Sequence, residues 1–223
     1  MNMPGGALPQ EPHLINIKRG KPHGLYIPIT LSTVRGDIEC RYYNAAEVRA
    51  GAIWVGGVGG DWDSPARGLY PNLCEAFLQG NISSLRVRYR YAHILDEATF
   101  DVLAGISFMI KEGRSKLSLT GHSFGGAVVI QAAVRTPETK AVVTLATQCH
   151  GADVVDELPP NCALLLIHGT EDTVLPDNCS RETYELAHEP KKLVVLEGNG
   201  HILDESAQEA EHLVREWITE HLV

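Results

Sequence analysis

Gly121-His122-Ser123-Phe124-Gly125-Gly126 is the stretch of this sequence with the clearest chemical content. It follows a short apolar run, Leu117 to Thr120, and leads into Phe124 to Arg135, which is apolar nearly all round. A G-x-S-x-G turn between a strand and a buried helix lifts a serine hydroxyl above the sheet, with the next backbone N–H aimed at the same space. Glycine flanks the serine because the turn is strained and neighbouring side chains would collide. Gly-rich turns also serve as ordinary punctuation between strand and helix, so placement carries more weight here than the letters themselves.

A serine hydroxyl is a weak nucleophile without a base, and the base needs an orienting carboxylate. Both occur after later apolar runs. Asp172 ends His168-Gly169-Thr170-Glu171-Asp172, after the run Ala163 to Ile167, and His201 ends Gly198-Asn199-Gly200-His201, after Leu193 to Leu196. Taken singly, Asp172 reads as a turn residue and His201 as a helix-capping or surface residue. Together, in the order Ser, Asp, His and after successive strands, they read as nucleophile, acid and base on one rim. The loop Gly56-Gly57-Val58-Gly59-Gly60 follows Ala52 to Val55 and would let backbone N–H groups approach a developing oxyanion. The expected donors are the N–H of Phe124 and that of Val58 or a residue next to it. A phosphate cradle is excluded: G-x-G-x-x-G from Gly57 would need glycine where Trp62 stands, and no G-K-[ST] occurs.

These residues meet only if strand and helix alternate. Leu25 to Thr33 and Asp37 to Tyr43, around Arg35-Gly36, predict an antiparallel hairpin. Ala52 to Val55, Ser84 to Tyr89, Leu117 to Thr120, Ala141 to Leu145, Ala163 to Ile167 and Leu193 to Leu196 have the apolar character of strands buried on both faces. Asp96 to Lys111 predicts a helix with Val102, Leu103, Ile106, Met109 and Ile110 on one side, and Leu203 to Leu222 predicts a last one. The class is therefore α/β, a mostly parallel sheet with helices on both faces. Ligands of such sheets gather at the carboxyl ends of the strands. Residues 1–23 are expected to form a loose N-terminal arm, and residues 24–223 a single domain.

Gly56-Gly57-Val58-Gly59, Gly121-His122-Ser123-Phe124-Gly125, His168-Gly169-Thr170-Glu171-Asp172 and Gly200-His201 together resemble the α/β-hydrolase superfamily, from Leu25 to the C-terminus. The compact form is similar to dienelactone-hydrolase-like and acyl-thioesterase-like members. The resemblance implies an eight-stranded sheet with an antiparallel second strand and a Ser123–His201–Asp172 triad. Two departures stand out. Gly56-Gly57 replaces the His-Gly of many relatives, and position 123 is serine where dienelactone hydrolases proper use cysteine.

Lids in this superfamily usually sit after strand six, where only Thr147 to Asn161 is available. That segment suits a loop or one short helix, so no large cap is expected, and an open cleft would take short acyl esters or thioesters, or an acyl group displayed on a larger molecule. Gly57, Asp61, Trp62, Asp63, Arg90, Tyr91, Cys149 and His150 are placed to border the cleft, though each also reads as an ordinary loop residue. Arg90 would either hold a substrate carboxylate or be ion-paired.

The 223 residues are 44% hydrophobic and 21% charged, which excludes disordered, collagen-like and disulfide-scaffold classes. A formal net charge of -9 repels phosphate backbones and anionic lipid, so nucleic acid and membrane are not expected partners. Five cysteines without a C-x-x-C pair suggest a reducing cytoplasm, with Cys149 as a packing thiol. No secretory signal is evident at the start, and no apolar stretch approaches a membrane span. Ten histidines show no H-E-x-x-H spacing, so neither a metal nor another cofactor is expected. Two functions follow: a serine hydrolase, monomeric or homodimeric, acting on a small-molecule ester or thioester, or a non-catalytic hydrolase-fold protein that binds a small molecule or protein partner.

Overall fold

The computed structural model describes residues 12–223, so the first part of the expected arm, residues 1–11, lies outside the described residues. The antiparallel part of the sheet is β1 (Asn16–Arg19), β2 (Ile27–Thr33) and β3 (Gly36–Tyr43). Then come β4 (Ala50–Val55), α1 (Pro65–Gln79), β5 (Ser83–Arg88), α2 (Leu95–Lys111), β6 (Lys116–His122) and α3 (Phe124–Ala133). The chain continues through β7 (Thr139–Leu145), β8 (Ala163–Gly169), α4 (Asn178–Leu186), β9 (Lys191–Leu196) and α5 (Ala207–Leu222). All nine strands form one sheet in the order β1-β2-β3-β5-β4-β6-β7-β8-β9. Pairing is antiparallel from β1 to β5 and parallel from β5 through β4 to β9.

Strand alternation divides the interior into two cores. Ile53, Val55, Leu117, Leu119 and Val142 face α2 and α3, where Val102, Met109, Val128 and Ile130 meet them. Ala52, Trp54, Val143, Leu145 and Ile167 face α1 and α5, against Tyr70, Leu73, Val214 and Ile218. Trp54 is 1% exposed and packs on Tyr70 and Phe77, and burial of one large apolar side chain is worth about 1.5–3 kcal/mol. All residues of α3 except Gln131 are buried, as its all-round apolar sequence predicts.

Several expectations need correction. The sheet has nine strands rather than eight, because Asn16–Arg19 pairs with β2 (Asn16 opposite Ser32) instead of belonging to a loose arm. This edge strand is mostly exposed, so backbone hydrogen bonds hold it and no apolar alternation announces it. Ile110 is 40% exposed and stands off the packed face of α2. The last helix starts at Ala207; Leu203 is buried in a preceding turn with φ 58°. Helices α1 and α4 are not among the expected elements. Gly68 and Pro71 interrupt the first, and Ala66, Arg67 and Gly68 all have positive φ, yet Leu69, Leu73 and Phe77 share its buried face. Between β7 and β8 the described structure holds one short 3-10 turn, Val155–Glu157, and no large cap. Among the described residues no helix is long and apolar enough to cross a membrane.

Candidate active site

Ser123 sits between β6 and α3 with φ 56° and ψ −119°, a conformation that L-residues rarely adopt. Three hydrogen bonds hold it: its N–H donates to Leu145 O (2.8 Å), while its carbonyl accepts from Gly126 N (3.0 Å) and Gln148 N (3.3 Å). The flanking glycines are required sterically. A Cβ on Gly121 would overlap the Gly125 carbonyl, and one on Gly125 would overlap the Gly56 carbonyl. A Cβ on Gly57 would stand 3.3 Å from the Ser123 Cβ.

Asp172, with a fully buried side chain, lies in the loop after β8. Its Oδ2 accepts from His201 Nδ1 at 2.7 Å, and its Oδ1 accepts from the N–H groups of Val174 (2.8 Å) and Leu175 (2.9 Å). Burial pushes this carboxyl up, but the bonds from His201, Leu175 and Val174 outweigh it and hold it below the usual carboxylate range. Because the Nδ1 proton is donated to the carboxylate, His201 Nε2 is left as the basic nitrogen. The loop carrying His201 is docked by three hydrogen bonds, one from the end of β6 and two from the start of α1. His122 Nε2 donates to His201 O (2.9 Å), Ala66 N to Ile202 O (2.7 Å), and Arg67 N to Asp204 Oδ1 (2.8 Å). The positive-φ start of α1 thus serves to present two N–H groups to this loop.

Ser123 and His201 share the neighbourhood of His122, whose ring centroid lies 4.8 Å from that of His201. No hydrogen bond joins Ser123 Oγ to His201 among the described residues. Burial depresses the His122 pKa, so its ring is neutral near neutral pH.

A cleft of about 360 Å³ opens at Ser123. Val58 and Phe124 flank the serine, Val174 and Leu175 come from the loop that carries Asp172, and His93, Leu95, Gln148 and His150 complete the wall. Among the described residues no hydrogen bond runs from the N–H of Val58 or of Phe124 to a protein acceptor outside the regular helix and strand bonds. Gly57 N–H instead points at Asp63 Oδ2 (3.4 Å).

The other border residues fare differently. His150 lines the cleft, whereas Trp62, Arg90 and Tyr91 do not. Trp62 lies under the Arg41 guanidinium (4.0 Å), and its carbonyl accepts from Arg86 (2.6 Å). Arg90 is consumed by structure: Nε bonds Asp101 (2.6 Å), one terminal nitrogen Glu97 (2.7 Å) and the other the Arg35 carbonyl (2.5 Å). Three of its five N–H donors are thereby engaged, and the side chain does not line the cleft at Ser123. Tyr91 is half exposed with the Arg90 guanidinium 5.6 Å from its ring centre.

Cys149 is not a packing thiol but forms a disulfide with Cys179, joining the loop after β7 to the start of α4. Cys40, Cys74 and Cys162 are free and buried. The sequence alone does not single out His93, Leu95, Gln148, Val174, Leu175 or His168, which the structure places around the cleft and Asp172. Only His168 carried a signal, as the start of the His-Gly-x-x-Asp stretch. Among the described residues no group of three or more His, Cys, Asp or Glu side chains could hold a metal.

No family model matches the sequence, and no curated protein matches it either. Solved structures do. Est1E from Butyrivibrio proteoclasticus superposes with a TM-score of 0.72 at 17% identity, covering 92% of this chain and 98% of that one. A lid-less α/β serine hydrolase from Xanthomonas campestris gives 0.71 at 18% identity, over 90% and 97% of the two chains. Dienelactone hydrolase from Anabaena variabilis gives 0.74 at 16% identity, over 96% and 100%. With this topology and no large cap among the described residues, the chain has the α/β-hydrolase fold in its compact form.

Proposed function

We propose that this protein is a serine hydrolase that cleaves carboxylic esters or thioesters through an acyl-enzyme on Ser123. The observation that carries the reading is the 2.7 Å contact between His201 Nδ1 and the buried Asp172 carboxylate, beside a strained serine that opens into a cleft. In this reading Ser123 Oγ attacks the acyl carbon as His201 Nε2 takes its proton. Asp172 holds the imidazole in the required tautomer and offsets its charge. The N–H groups of Phe124 and Val58 receive the oxyanion. Collapse returns the proton to the leaving alcohol or thiol, and water, activated by the same histidine, then releases the acid.

The mostly apolar cleft wall and the lack of a large cap favour a short acyl group, free or displayed on a larger molecule. The disulfide favours an oxidising setting over the reducing cytoplasm suggested by the cysteine count. A second reading, a hydrolase fold that only binds its ligand, draws on the missing hydrogen bond between Ser123 and His201. A fluorophosphonate probe separates the two. Labelling of the wild type but not of Ser123→Ala supports the enzyme, and no labelling of either supports the binding protein.

A further inference from the structure

Each oxygen of the Asp172 carboxylate receives two hydrogen bonds. Those to Oδ1 come from backbone; those to Oδ2 come from two imidazoles, His201 Nδ1 at 2.7 Å and His168 Nε2 at 3.1 Å. His168 lies at the end of β8 with its side chain fully buried. Its neighbours fix its tautomer. Nε2 faces two groups that can only accept, Asp172 Oδ2 and the Leu175 carbonyl (3.2 Å), so it carries the proton. Nδ1 is then a lone pair and accepts the hydroxyl proton of buried Ser180, 2.7 Å away on α4. Burial depresses the His168 pKa, so the ring is neutral near neutral pH.

We propose that His168 is a positioning residue that shares Asp172 Oδ2 with His201 and so sets the pH below which His201 can no longer take a proton. The proposal rests on the triad reading above. A carboxylate oxygen held by one donor attracts an imidazolium more strongly than one shared between two. Sharing therefore keeps His201 a free base to lower pH. The other ionisable groups around the pair are His122 at the end of β6, Asp63 after β4, Glu205 on the His201 loop and Asp177 before α4. None of them donates a hydrogen bond to Asp172 among the described residues.

The test combines His168→Phe with Ser180→Ala, which removes both buried partners together and leaves neither unpaired. His168→Gln keeps an N–H near the position of Nε2. Two readouts are taken: the titration midpoint of His201 in 15N-histidine-labelled protein, and the pH profile of kcat/KM with p-nitrophenyl acetate. In the double variant the His201 midpoint rises by about one pH unit, and kcat/KM falls about tenfold on the acid limb with its plateau intact. His168→Gln returns both to wild type. An unmoved midpoint with equal losses on limb and plateau overturns the proposal, because that is what lost packing alone would do. If the double variant does not fold, the wild-type spectrum decides: the Nε2–H tautomer of His168 without titration supports the proposal, and an Nδ1–H or titrating ring overturns it. Should the wild type hydrolyse no ester while the His201 midpoint still moves, the failure lies with the proposed reaction and not with the role of His168.

Discussion

Replacing Ser123 by glycine should stabilise the protein while abolishing its activity. The serine is held at φ 56° and ψ −119° by three backbone hydrogen bonds, and an L-residue so placed costs roughly 1–3 kcal/mol. Glycine removes that strain but loses about 0.4–1 kcal/mol through its freer unfolded chain. The net gain over Ser123→Ala, the control that keeps the Cβ and lacks the hydroxyl, is then about 1–2 kcal/mol. For 223 residues the unfolding entropy is on the order of 0.5 kcal/mol/K, so Tm should rise by about 2–4 °C. Differential scanning calorimetry of the two variants, neither of which should turn over ester, reads the difference. An alanine variant as stable as the glycine variant, or more so, would refute the strained turn.

Loss of the Cys149–Cys179 bridge, by Cys149→Ser or by dithiothreitol, should destabilise the fold by about 3–4 kcal/mol on the loop-entropy model for its separation of 30 residues; an unchanged Tm under reductant would contradict this. Burial pushes the pKa values of His122 and His168 below the ordinary histidine value, so the unfolded chain binds protons that the folded one does not. Stability is then complete above about pH 6.5 and falls on acidification by about 2.7 kcal/mol per pH unit while both remain neutral. Urea unfolding between neutral and mildly acidic pH measures that slope, and a flat profile would show that the rings charge freely in the fold. Arg90→Ala should cost about 3–5 kcal/mol by stranding the buried Asp101 carboxylate, yet KM should stay the same for neutral and carboxylate-bearing esters. A selective rise for the carboxylate-bearing ester would return Arg90 to substrate binding.

What the sequence made legible was the part governed by local rules. The central strands are continuous apolar runs, and Gly121 and Gly125 mark a turn whose backbone passes too close for side chains. Asp172 and His201 could be paired because an α/β sheet brings successive strand ends to one rim. What escaped depends on contacts distant in the chain. β1 has no apolar alternation and is specified by its partner strand. Arg90 looks the same in sequence whether it faces substrate or, as here, Asp101 and Glu97. Cys149 and Cys179 are linked by a fold that places the loop after β7 against α4, and no spacing rule announces that contact. His168 stood in plain view as the start of His-Gly-x-x-Asp, but its bond to the acid needs the loop to turn back by four residues.

The proposed reaction requires Ser123 to become covalently acylated with His201 as its base. Intact-protein mass spectrometry after an acid quench, following brief mixing with p-nitrophenyl acetate, reads this directly. The predicted result is one acetyl group per chain on the wild type, mapped to Ser123, with Ser123→Ala unmodified and His201→Ala acylated far more slowly. An acetyl group on another residue, or wild-type turnover equal to that of Ser123→Ala, would contradict it.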